Sequence, residues 1–313
     1  MTERSIKTAV VTGPTGAIGT ALCEVLAARG VTVYAVLRPD SPRLAALPEH
    51  ERVHPVFCDL SALSSLTLPE GARADAFFHL AWAHTTGEGR NNMPAQLDNV
   101  RYALDALEAA HRLGASVFVG AGSQAEYGRV EGALSASTPT YPENGYGIAK
   151  LCAGQMTRTQ AERYGIDHIW VRILSVYGPR DGESSLISTL IRTLLNGEEP
   201  MVTAGEQKWD YLYSYDAAEA LCLLAERGIH KKTYVLGGGT ARPLRDYMER
   251  VRDAIDPALS IGFGKRPYAP LQVMHLEADI GSLTEDTGFV PRVSFEEGIR
   301  HTVASMKNKK GNG

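Results

Sequence analysis

A glycine-rich turn near the N-terminus constrains the fold of this chain more than any other segment. The turn, TGPTGAIG, follows the short apolar run TAVV and opens the helical pattern AIGTALCEVLAARG. Further short apolar runs come later, namely VTVYAVL, VHPVF, ADAFFHLA and SVFVGAG, with a long helical pattern around residues 91–113 before the last one. Strands that alternate with helices in this way predict a doubly wound α/β fold, a parallel sheet covered on both faces.

The regular alternation ends near Gly178. A further apolar run, HIWVRILSVYG, leads into SSLISTLIRTLLNG, a stretch rich in Trp and Tyr, AAEALCLLAERG and KTYVLGGG. We therefore expect a sheet domain over residues 1–178 and a smaller C-terminal α/β lobe over residues 179–313 that faces the substrate. No linker-like stretch separates them, so we expect the chain to cross between the two.

Charge and cysteine content argue against several classes of protein. The 313 residues include 32 Lys and Arg against 36 Asp and Glu, a formal net charge of −4, and the terminal KNKK is the one basic block. Neither nucleic acid nor a membrane is therefore expected as a partner. The four cysteines are scattered and form no Cys-x-x-Cys pair, which is typical of reduced core thiols. Without a signal-like N-terminal segment, we expect a cytoplasmic protein.

The glycines of the N-terminal turn stand where a phosphate-binding turn requires them, between a strand and a helix. Glycine permits a tight turn close to a pyrophosphate, and the first helical turn offers free N–H groups and the positive end of the helix dipole. The spacing differs from the Gly-x-Gly-x-x-Gly fingerprint, and a turn without a ligand is the alternative. The expected contacts with a dinucleotide here are Gly13, Thr15, Gly16, Ala17, Ile18 and Gly19.

The ends of the second and third strands are expected to bind the adenosine half of the dinucleotide. An acidic residue about 20 positions beyond the glycines would bind the ribose of NAD, whereas Arg38 near that position suits the 2′-phosphate of NADP. NADP is therefore favoured over NAD, with a surface role for Arg38 and an NAD preference supported by Asp40 as the alternative. Asp59 could accept a hydrogen bond from the adenine amino group, while Ser61 could cap the following helix.

A Tyr-x-x-x-Lys pair, Tyr146 and Lys150, lies in the run PENGYGIAK. Residues four apart share one face of a helix, so the ammonium group can sit beneath the phenol and favour its ionised form. A phenol otherwise has a pKa of about 10, too high for a base at neutral pH. The pair predicts a proton donor and acceptor, although such spacing alone arises by chance in many chains.

In combination, several motifs resemble those of the extended short-chain dehydrogenase/reductase superfamily, the group that includes NAD-dependent epimerases, dehydratases and ketoreductases of nucleotide sugars. The resemblance covers nearly the whole chain and implies a Rossmann fold. The motifs are TGPTGAIG, CDL at 58–60, FHLAW at 78–82, GSQAEYG at 122–128, YGIAK, VRILSVYGPR at 171–180, QKWDYLYSYDAAEA and YVLGGG.

Matched residue by residue, the resemblance implies Ser123, Tyr146 and Lys150 as the catalytic trio, with Asn99 supporting a proton relay. Ser123 would hydrogen-bond a substrate oxygen beside the phenol. Lys150 would hold the ribose hydroxyls and lower the pKa of Tyr146. In the reductive direction, a carbonyl carbon receives hydride while Tyr146 protonates its oxygen.

The same motifs extend the cofactor site along the ends of the third and fourth strands. They add three apolar contacts, Leu60, Leu80 and Ala81. His79 and His84 flank the end of the fourth strand, but no second group of ligands accompanies them, so no metal is expected.

Residues beside the catalytic serine bear on the reaction and the substrate. Gln124 and Ala125 stand where sugar 4,6-dehydratases carry an Asp-Glu pair, which disfavours elimination of water. Gln124 and Glu126 lie in the family's substrate zone, with Trp82 and His84 facing them from a neighbouring loop. These polar groups favour a hydroxylated, sugar-like substrate.

Two further departures from the family pattern weaken the match to a nucleotide-diphosphate sugar. Ser175 stands where Asn is common, and Trp209 stands where an arginine often meets the sugar-nucleotide phosphates. Trp209 could stack on a base or pack in the core of the lobe, and Arg180 or Lys208 could neutralise a phosphate instead.

The sequence thus predicts an NAD(P)-dependent oxidoreductase or epimerase of a nucleotide-linked sugar. The expected reaction is reduction of a 4-keto-6-deoxy sugar or C4 epimerisation through a transient ketone. The alternatives are a reductase of a non-nucleotide carbonyl, similar to dihydroflavonol reductases, and a non-catalytic dinucleotide-binding sensor. Apolar and Ala-rich outer positions on the helices of Tyr146 and Asn99 predict a homodimer, for instance Ala149, Leu151, Ala153 and Met156.

Overall fold

Short apolar strands pair side by side in the computed structural model of the protein, which describes residues 3–270 and 272–311. Strand sequences such as TAVVT and TVYAVL are rich in β-branched residues, which favour an extended backbone. In chain order the strands are β1 (Thr8–Thr12), β2 (Thr32–Leu37), β3 (Val53–Phe57), β4 (Ala76–His79), β5 (Val117–Ser123), β6 (Asp167–Ile173), β7 (Ser175–Tyr177), β8 (Lys208–Trp209), β9 (Tyr211–Tyr213), β10 (Thr233–Leu236), β11 (Arg242–Pro243) and β12 (His275–Leu276).

Helices occupy many of the connections between the strands. They are α1 (Ala17–Ala28), α2 (Met93–Arg112), α3 (Gly145–Tyr164), α4 (Leu186–Leu195), α5 (Ser214–Arg227), α6 (Leu244–Ile255), α7 (Gly281–Thr287) and α8 (Phe295–Gly311). The two long helices begin at asparagines, since Asn92 and Asn144 accept hydrogen bonds from the first turns of α2 and α3. Among the helices of residues 3–270 and 272–311, none has the length and apolar character needed to cross a membrane.

The main sheet has seven strands in the order β10-β6-β5-β4-β1-β2-β3, and all its neighbours are parallel. The order reverses between β1 and β4, so the connections after these two strands leave in opposite directions. In open α/β sheets a crevice forms at this point, outside the carboxyl ends of the strands, and ligands bind there. The predicted doubly wound α/β fold is confirmed.

Each face of the main sheet has its own hydrophobic core. On one face, Leu22 of α1 and Leu221 of α5 pack with Val11 and its neighbours. On the other face, Leu107 of α2 and Ala161 of α3 pack in a cluster that includes Phe77 and Phe118. The strands are therefore buried on both sides, which explains why their sequences are almost continuously apolar.

The second half of the chain contributes both to the main sheet and to the smaller lobe. α5 and β10 lie beyond residue 178 and yet belong to the main sheet and its cover. The segment HIWVRILSVYG, expected as one strand, divides at Leu174 into β6 in the main sheet and β7, which pairs with β9. The smaller lobe is built on α4, α6 and α8, whose buried side chains form a separate core, and on the sheet β11-β8-β12.

Candidate active site

The turn between β1 and α1 presents backbone donors at the reversal point of the sheet. No side chain caps α1 and no acidic residue lies in its first turn, so the N–H groups there are left for a ligand. Gly13 has a φ of 73°, and a Cβ there would lie 2.9 Å from the backbone nitrogen of Ala81. A Cβ at Gly19 would overlap the carbonyl of Gly13, whereas at Gly16 the nearest atom would be 3.9 Å away. The turn is therefore tightly packed at Gly13 and Gly19 and open at Gly16.

A cavity of about 660 Å³ extends from this turn past the carboxyl ends of β2 and β3. An elongated anionic ligand fits this donor set, because the helix N-terminus suits a pyrophosphate and the charged groups at the far end suit an adenosine. The wall brings together the predicted cofactor contacts Gly13, Thr15, Gly16, Arg38, Asp59, Leu60, Leu80 and Ala81, and also His84 and Arg43. Arg43 was not predicted from the sequence.

Asp59 both lines this cavity and caps a short helix. Its Oδ1 accepts from the backbone nitrogen of Ser61 at 2.9 Å and from the Ser61 hydroxyl at 2.7 Å. These hydrogen bonds lower the pKa of Asp59, so its carboxylate is an acceptor at neutral pH. The capping role that the sequence suggested for Ser61 therefore belongs to Asp59.

Two amides on α2 hold the loop that follows β4. Asn99 accepts from the backbone nitrogen of Ala83 and donates to its carbonyl, both at 2.9 Å. Gln96 accepts from the indole of Trp82 at 2.9 Å and donates to the carbonyl of His84 at 2.9 Å. Among the contacts described for the chain, none joins Asn99 to Lys150. Asn99 thus anchors this loop, and its expected support of a proton relay stays a prediction.

A second cavity of about 340 Å³ joins the glycine turn to the predicted catalytic residues. Ser123 ends β5 and Tyr146 lies in the first turn of α3, so neighbouring elements bring the two side chains together. The residues lining it include Gly13, Gly16, Ala17, Ile18, Gly19, Trp82, Ser123, Tyr146, Lys150 and Asp181.

Ser123 is set to donate its hydroxyl hydrogen into this cavity. Its Oγ accepts from the backbone nitrogen of Ala125 at 3.2 Å, and the side chain is largely buried. A hydroxyl has one hydrogen and two lone pairs. With a lone pair engaged by Ala125, the hydrogen can point to a substrate oxygen or to the phenol of Tyr146.

The Tyr146 phenol holds its proton more firmly than was expected. Burial raises the pKa of Tyr146, while hydrogen bonding with Ser123 and the charge of Arg90 act in the opposite direction. The Arg90 guanidinium carbon lies 4.5 Å from the centroid of the Tyr146 ring. The pKa of Tyr146 is therefore raised, where Lys150 was expected to lower it together with the cofactor.

Lys150 is buried, and its ammonium group lies closer to the Trp82 ring than to the Tyr146 ring. Its Nζ donates to the carbonyl of Ala121 at 2.7 Å and lies 3.8 Å from the centroid of the Trp82 ring, against 5.8 Å from that of Tyr146. Burial lowers the pKa of Lys150 to about 7, although the charge of Glu126 opposes this shift. Its charge therefore changes near neutral pH.

Glu126 lies behind the site instead of in it, which corrects its prediction as a substrate contact. Its side chain is 0% exposed and pairs with Arg172 at 2.8 Å. Gln124, from the same short helix, is half-buried, and neither residue is among the described residues that line the catalytic cavity.

The two departures from the family pattern in the second half of the chain contact each other. The indole nitrogen of Trp209 on β8 donates to the hydroxyl of Ser175 on β7 at 2.8 Å. Trp209 packs partly on the lobe core and also lines a third cavity of about 840 Å³, with Tyr211, Gln207 and Arg266. Trp209 can therefore both pack in the core of the lobe and contact a ligand.

Arg180 and Lys208, the predicted phosphate partners, are not among the described residues that line these three cavities. Arg180 is half-buried with a φ of 66°, and Lys208 is exposed. Of the described residues around the third cavity, Arg266 is the single Lys or Arg.

Histidines near the site have structural positions. His79 is buried, with its Nδ1 3.0 Å from the Thr12 hydroxyl, and burial lowers its pKa to about 3. It is therefore neutral and packs inside the sheet. Within residues 3–270 and 272–311, no group of three or more His, Cys, Asp or Glu side chains could hold a metal ion.

Sequence reasoning missed several residues that shape the site. Gln96 had a usable signal, because it lies three positions before Asn99 on the same face of α2. Asp181 follows the motif VRILSVYGPR directly and enters the catalytic cavity, where burial raises its pKa. Arg90 lies in the short 3-10 helix Gly87–Asn91 and Arg43 directly precedes another, Leu44–Ala46, and neither residue belongs to a local sequence pattern that could have indicated its role.

Comparison with known proteins gives a consistent family. The model of the NAD dependent epimerase/dehydratase family matches residues 9–237. A protein of Bacillus subtilis described as an uncharacterized UDP-glucose epimerase, YtcB, is 24% identical over 96% of this chain and 98% of its own. A dTDP-glucose 4,6-dehydratase of Salmonella typhimurium is 28% identical, over 54% of this chain and 49% of its own.

Solved structures resemble the whole chain. A UDP-N-acetylglucosamine 4-epimerase from Methanobrevibacter ruminantium, in complex with UDP-N-acetylmuramic acid, has a TM-score of 0.86 and 25% identity, covering 99% of this chain and 100% of that one. RMD from Pseudomonas aeruginosa, complexed with NADPH, has a TM-score of 0.81 and 22% identity, covering 97% and 99%. At 22% identity, that likeness shows the fold alone.

Proposed function

This chain belongs to the NAD-dependent epimerase/dehydratase family, and we propose that it is an NAD(P)-dependent enzyme that acts at C4 of a nucleotide-linked sugar. The reaction is reduction of a 4-keto-6-deoxy sugar or epimerisation through a transient ketone. One observation carries this conclusion: a single cavity joins the helix N-terminus that suits a dinucleotide to the hydroxyls of Ser123 and Tyr146 and the ammonium of Lys150.

A bound nicotinamide dinucleotide would supply or accept the hydride. Gly13, Gly16 and the first turn of α1 would hold its pyrophosphate, and Asp59 its adenine. Arg38 and Arg43 line the same cavity and offer two guanidinium groups for a 2′-phosphate, which supports NADP over NAD.

Ser123 and Tyr146 act on the same sugar oxygen. Ser123 donates a hydrogen bond that orients this oxygen, and Tyr146 gives it a proton as the carbonyl becomes a hydroxyl, or removes that proton in the reverse direction. Burial raises the pKa of Tyr146, which favours the protonated phenol as the proton donor.

Elimination of water remains disfavoured, although dTDP-glucose 4,6-dehydratases are among the relatives. Gln124 and Ala125 offer no acid beside Ser123, and the nearby Glu126 is engaged by Arg172.

Reduction of a non-nucleotide carbonyl is the second candidate function, and the third cavity favours it. Trp209 and Tyr211 give this cavity aromatic walls, and Arg266 is the single Lys or Arg among its described lining residues. A diphosphate carries two negative charges, which a nucleotide-sugar site has to neutralise, usually with arginine or lysine.

We further propose a homodimer in the cytoplasm. Of the positions expected at this interface, Ala149 and Ala153 are buried within the protein, whereas Met156 is 45% exposed. Further exposed apolar side chains on α2 and α3 are Leu97, 70% exposed, and Ile148, 51% exposed. A second copy of this face would cover them around a two-fold axis. The four cysteines are free, which fits a reducing compartment. Light scattering that shows a monomer at micromolar concentration would contradict the homodimer.

The test is incubation of the purified protein with nucleotide-linked sugars and their 4-keto derivatives, each with NADPH, NADH or NAD. Loss of nicotinamide absorbance with a 4-keto sugar supports reduction. A C4 epimer detected by NMR without net cofactor consumption supports epimerisation. Turnover restricted to simple ketones supports the second candidate, and tight cofactor binding without turnover supports the non-catalytic sensor.

A further inference from the structure

A buried carboxylate behind the catalytic serine connects β5 with β6. Glu126 ends the short 3-10 helix Gln124–Glu126, which follows β5 directly. Its Oε1 accepts from the backbone nitrogen of Ser123 at 2.8 Å and from the indole nitrogen of Trp170 at 3.0 Å, and its Oε2 accepts from Nε of Arg172 at 2.8 Å. A buried charge is stable only when it is paired and hydrogen-bonded, and here both conditions hold.

Three glycines make room for the ring of Trp170 and for its bond to Glu126. A Cβ at Gly120 or Gly122 of β5 would lie 2.5 Å from an atom of the indole, and at Gly154 of α3 it would lie 2.6 Å away. A Cβ at Gly122 would also overlap Oε1 of Glu126. Only glycine permits these distances, so Trp170 is enclosed between β5 and α3.

The helix that carries Tyr146 rests on this assembly at two points. Gly147 lies so close to the carbonyl of Ala125 that a Cβ would overlap it, and Gly154 lies against Trp170 about two helical turns further on. Tyr146 directly precedes Gly147, which makes the first of these contacts. A shift of the 3-10 helix or of Trp170 would therefore displace the Tyr146 phenol from the Ser123 hydroxyl.

We propose that Glu126 is a positioning residue that fixes the backbone of Ser123 and keeps its hydroxyl in register with the Tyr146 phenol. This role rests on the proposed function only in taking Ser123 and Tyr146 as the groups that act on the substrate. The orientation of the hydroxyl depends on the same short helix, because Ser123 Oγ accepts from Ala125. Glu126 touches no substrate and acts through Ser123.

The decisive variant removes the buried charge pair without leaving one charge unpaired. Replacing such a pair by apolar residues is often neutral or stabilising, so Glu126→Leu combined with Arg172→Met should remain folded. It leaves the Ser123 amide without its acceptor. We expect kcat to fall by about 10–100-fold, because small misplacements of catalytic groups are costly, while KM and cofactor affinity stay unchanged.

Two comparisons separate positioning from a general effect on stability. In a Ser123→Ala background, the same pair of substitutions should have little further effect on kcat, because the group it positions is gone. The control variant is Glu162→Gln. Glu162 is exposed, lies on the same helix as Tyr146 and pairs with Lys231, so its substitution should leave kcat unchanged. A well-folded Glu126→Leu/Arg172→Met protein with unaltered kcat, or full additivity with Ser123→Ala, would overturn the positioning role.

If the wild-type protein turns over no nucleotide-linked sugar, the proposed function fails, and crystal structures then decide the role of Glu126. A longer separation between the Ser123 and Tyr146 oxygens in the double variant than in the wild type would support positioning. An unchanged separation would contradict it, whatever the substrate.

Discussion

The catalytic cavity and the third cavity, in the smaller lobe, are built in different ways. Around the first, polar side chains are buried and tied to the backbone, as Lys150 is to Ala121 and Asn99 to Ala83. Around the third, aromatic and aliphatic side chains form most of the wall, and Trp209 is held by its bond to Ser175. In the proposed function, anchored polar groups would carry the chemistry, and specificity would depend on a surface that can change without disturbing them.

The strongest test of this contrast is Tyr146→Phe. We expect the rate to fall by about 10²–10⁴-fold, since general acid catalysis is lost, while cofactor affinity is unchanged. Steady-state kinetics and fluorescence titration of NADPH measure the two effects. Tyr141→Phe, at a tyrosine that is 75% exposed, is the matched control. Near-full turnover by Tyr146→Phe would remove the phenol from the mechanism.

The burial of Lys150 predicts a pH-dependent stability. Its pKa is lowered to about 7, whereas an unfolded lysine titrates near about 10.4, so between these values the unfolded chain binds more protons. The contribution of Lys150 to the free energy of unfolding therefore rises with pH across this window and is lowest below it.

Lys150→Met should accordingly be more stable than the wild type near neutral pH. The gain in the free energy of unfolding should be on the order of a few kcal/mol, reduced by the loss of the hydrogen bond to Ala121. The gain should shrink as the pH approaches about 10. Urea unfolding across the window measures it, with Lys7→Met at an exposed lysine as the control. A gain that grows with pH would show that the ammonium group is not destabilised by burial.

Arg38→Ala tests the far end of the cofactor cavity. Loss of a charge-assisted pair with the 2′-phosphate should weaken NADPH binding by about 10–100-fold and leave NADH binding unchanged. Titration of both cofactors against this variant and against Arg52→Ala, at an exposed residue next to the start of β3, gives the comparison. Equal weakening of both cofactors would mean that Arg38 does not select NADP.

The smallest effect is expected in the lobe. Trp209→Phe keeps an aromatic ring and loses the hydrogen bond to Ser175, which is worth about 1 kcal/mol. KM should rise a few-fold with kcat unchanged, and Ser175→Ala should add nothing in the Trp209→Phe background. If kcat fell by the same factor by which KM rose, Trp209 would belong to the catalytic region, and the contrast between the two cavities would be weaker.

Local patterns predicted most of the main sheet but not the strand that completes it. Apolar runs and glycine turns identify β1 to β6, because a buried parallel strand is recognisable from its own residues. The return of β10 to the sheet depends on contacts between segments far apart in the chain, and the division of one predicted strand at Leu174 does so too. Neither leaves a periodic signal in the sequence.

The same distinction applies to the candidate site. Motifs identify Ser123, Tyr146 and Lys150, which the structure brings to one cavity. The pKa of Tyr146 is raised where a lowering was expected, because burial outweighs the hydrogen bond with Ser123 and the charge of Arg90. Glu126 was assigned to the substrate because it lies in the family's substrate zone beside the serine, and only packing shows that it is buried.

The return of the chain to the main sheet has a consequence for biosynthesis. β10 pairs with β6, and α5 covers the face of the sheet opposite α2 and α3. The sheet is therefore complete only after the ribosome has translated beyond Leu236. Until then the nascent chain carries an unpaired strand edge and an uncovered apolar face, both of which promote aggregation. A fragment that stops at residue 178 would keep these surfaces permanently, and chaperones would have to shield them.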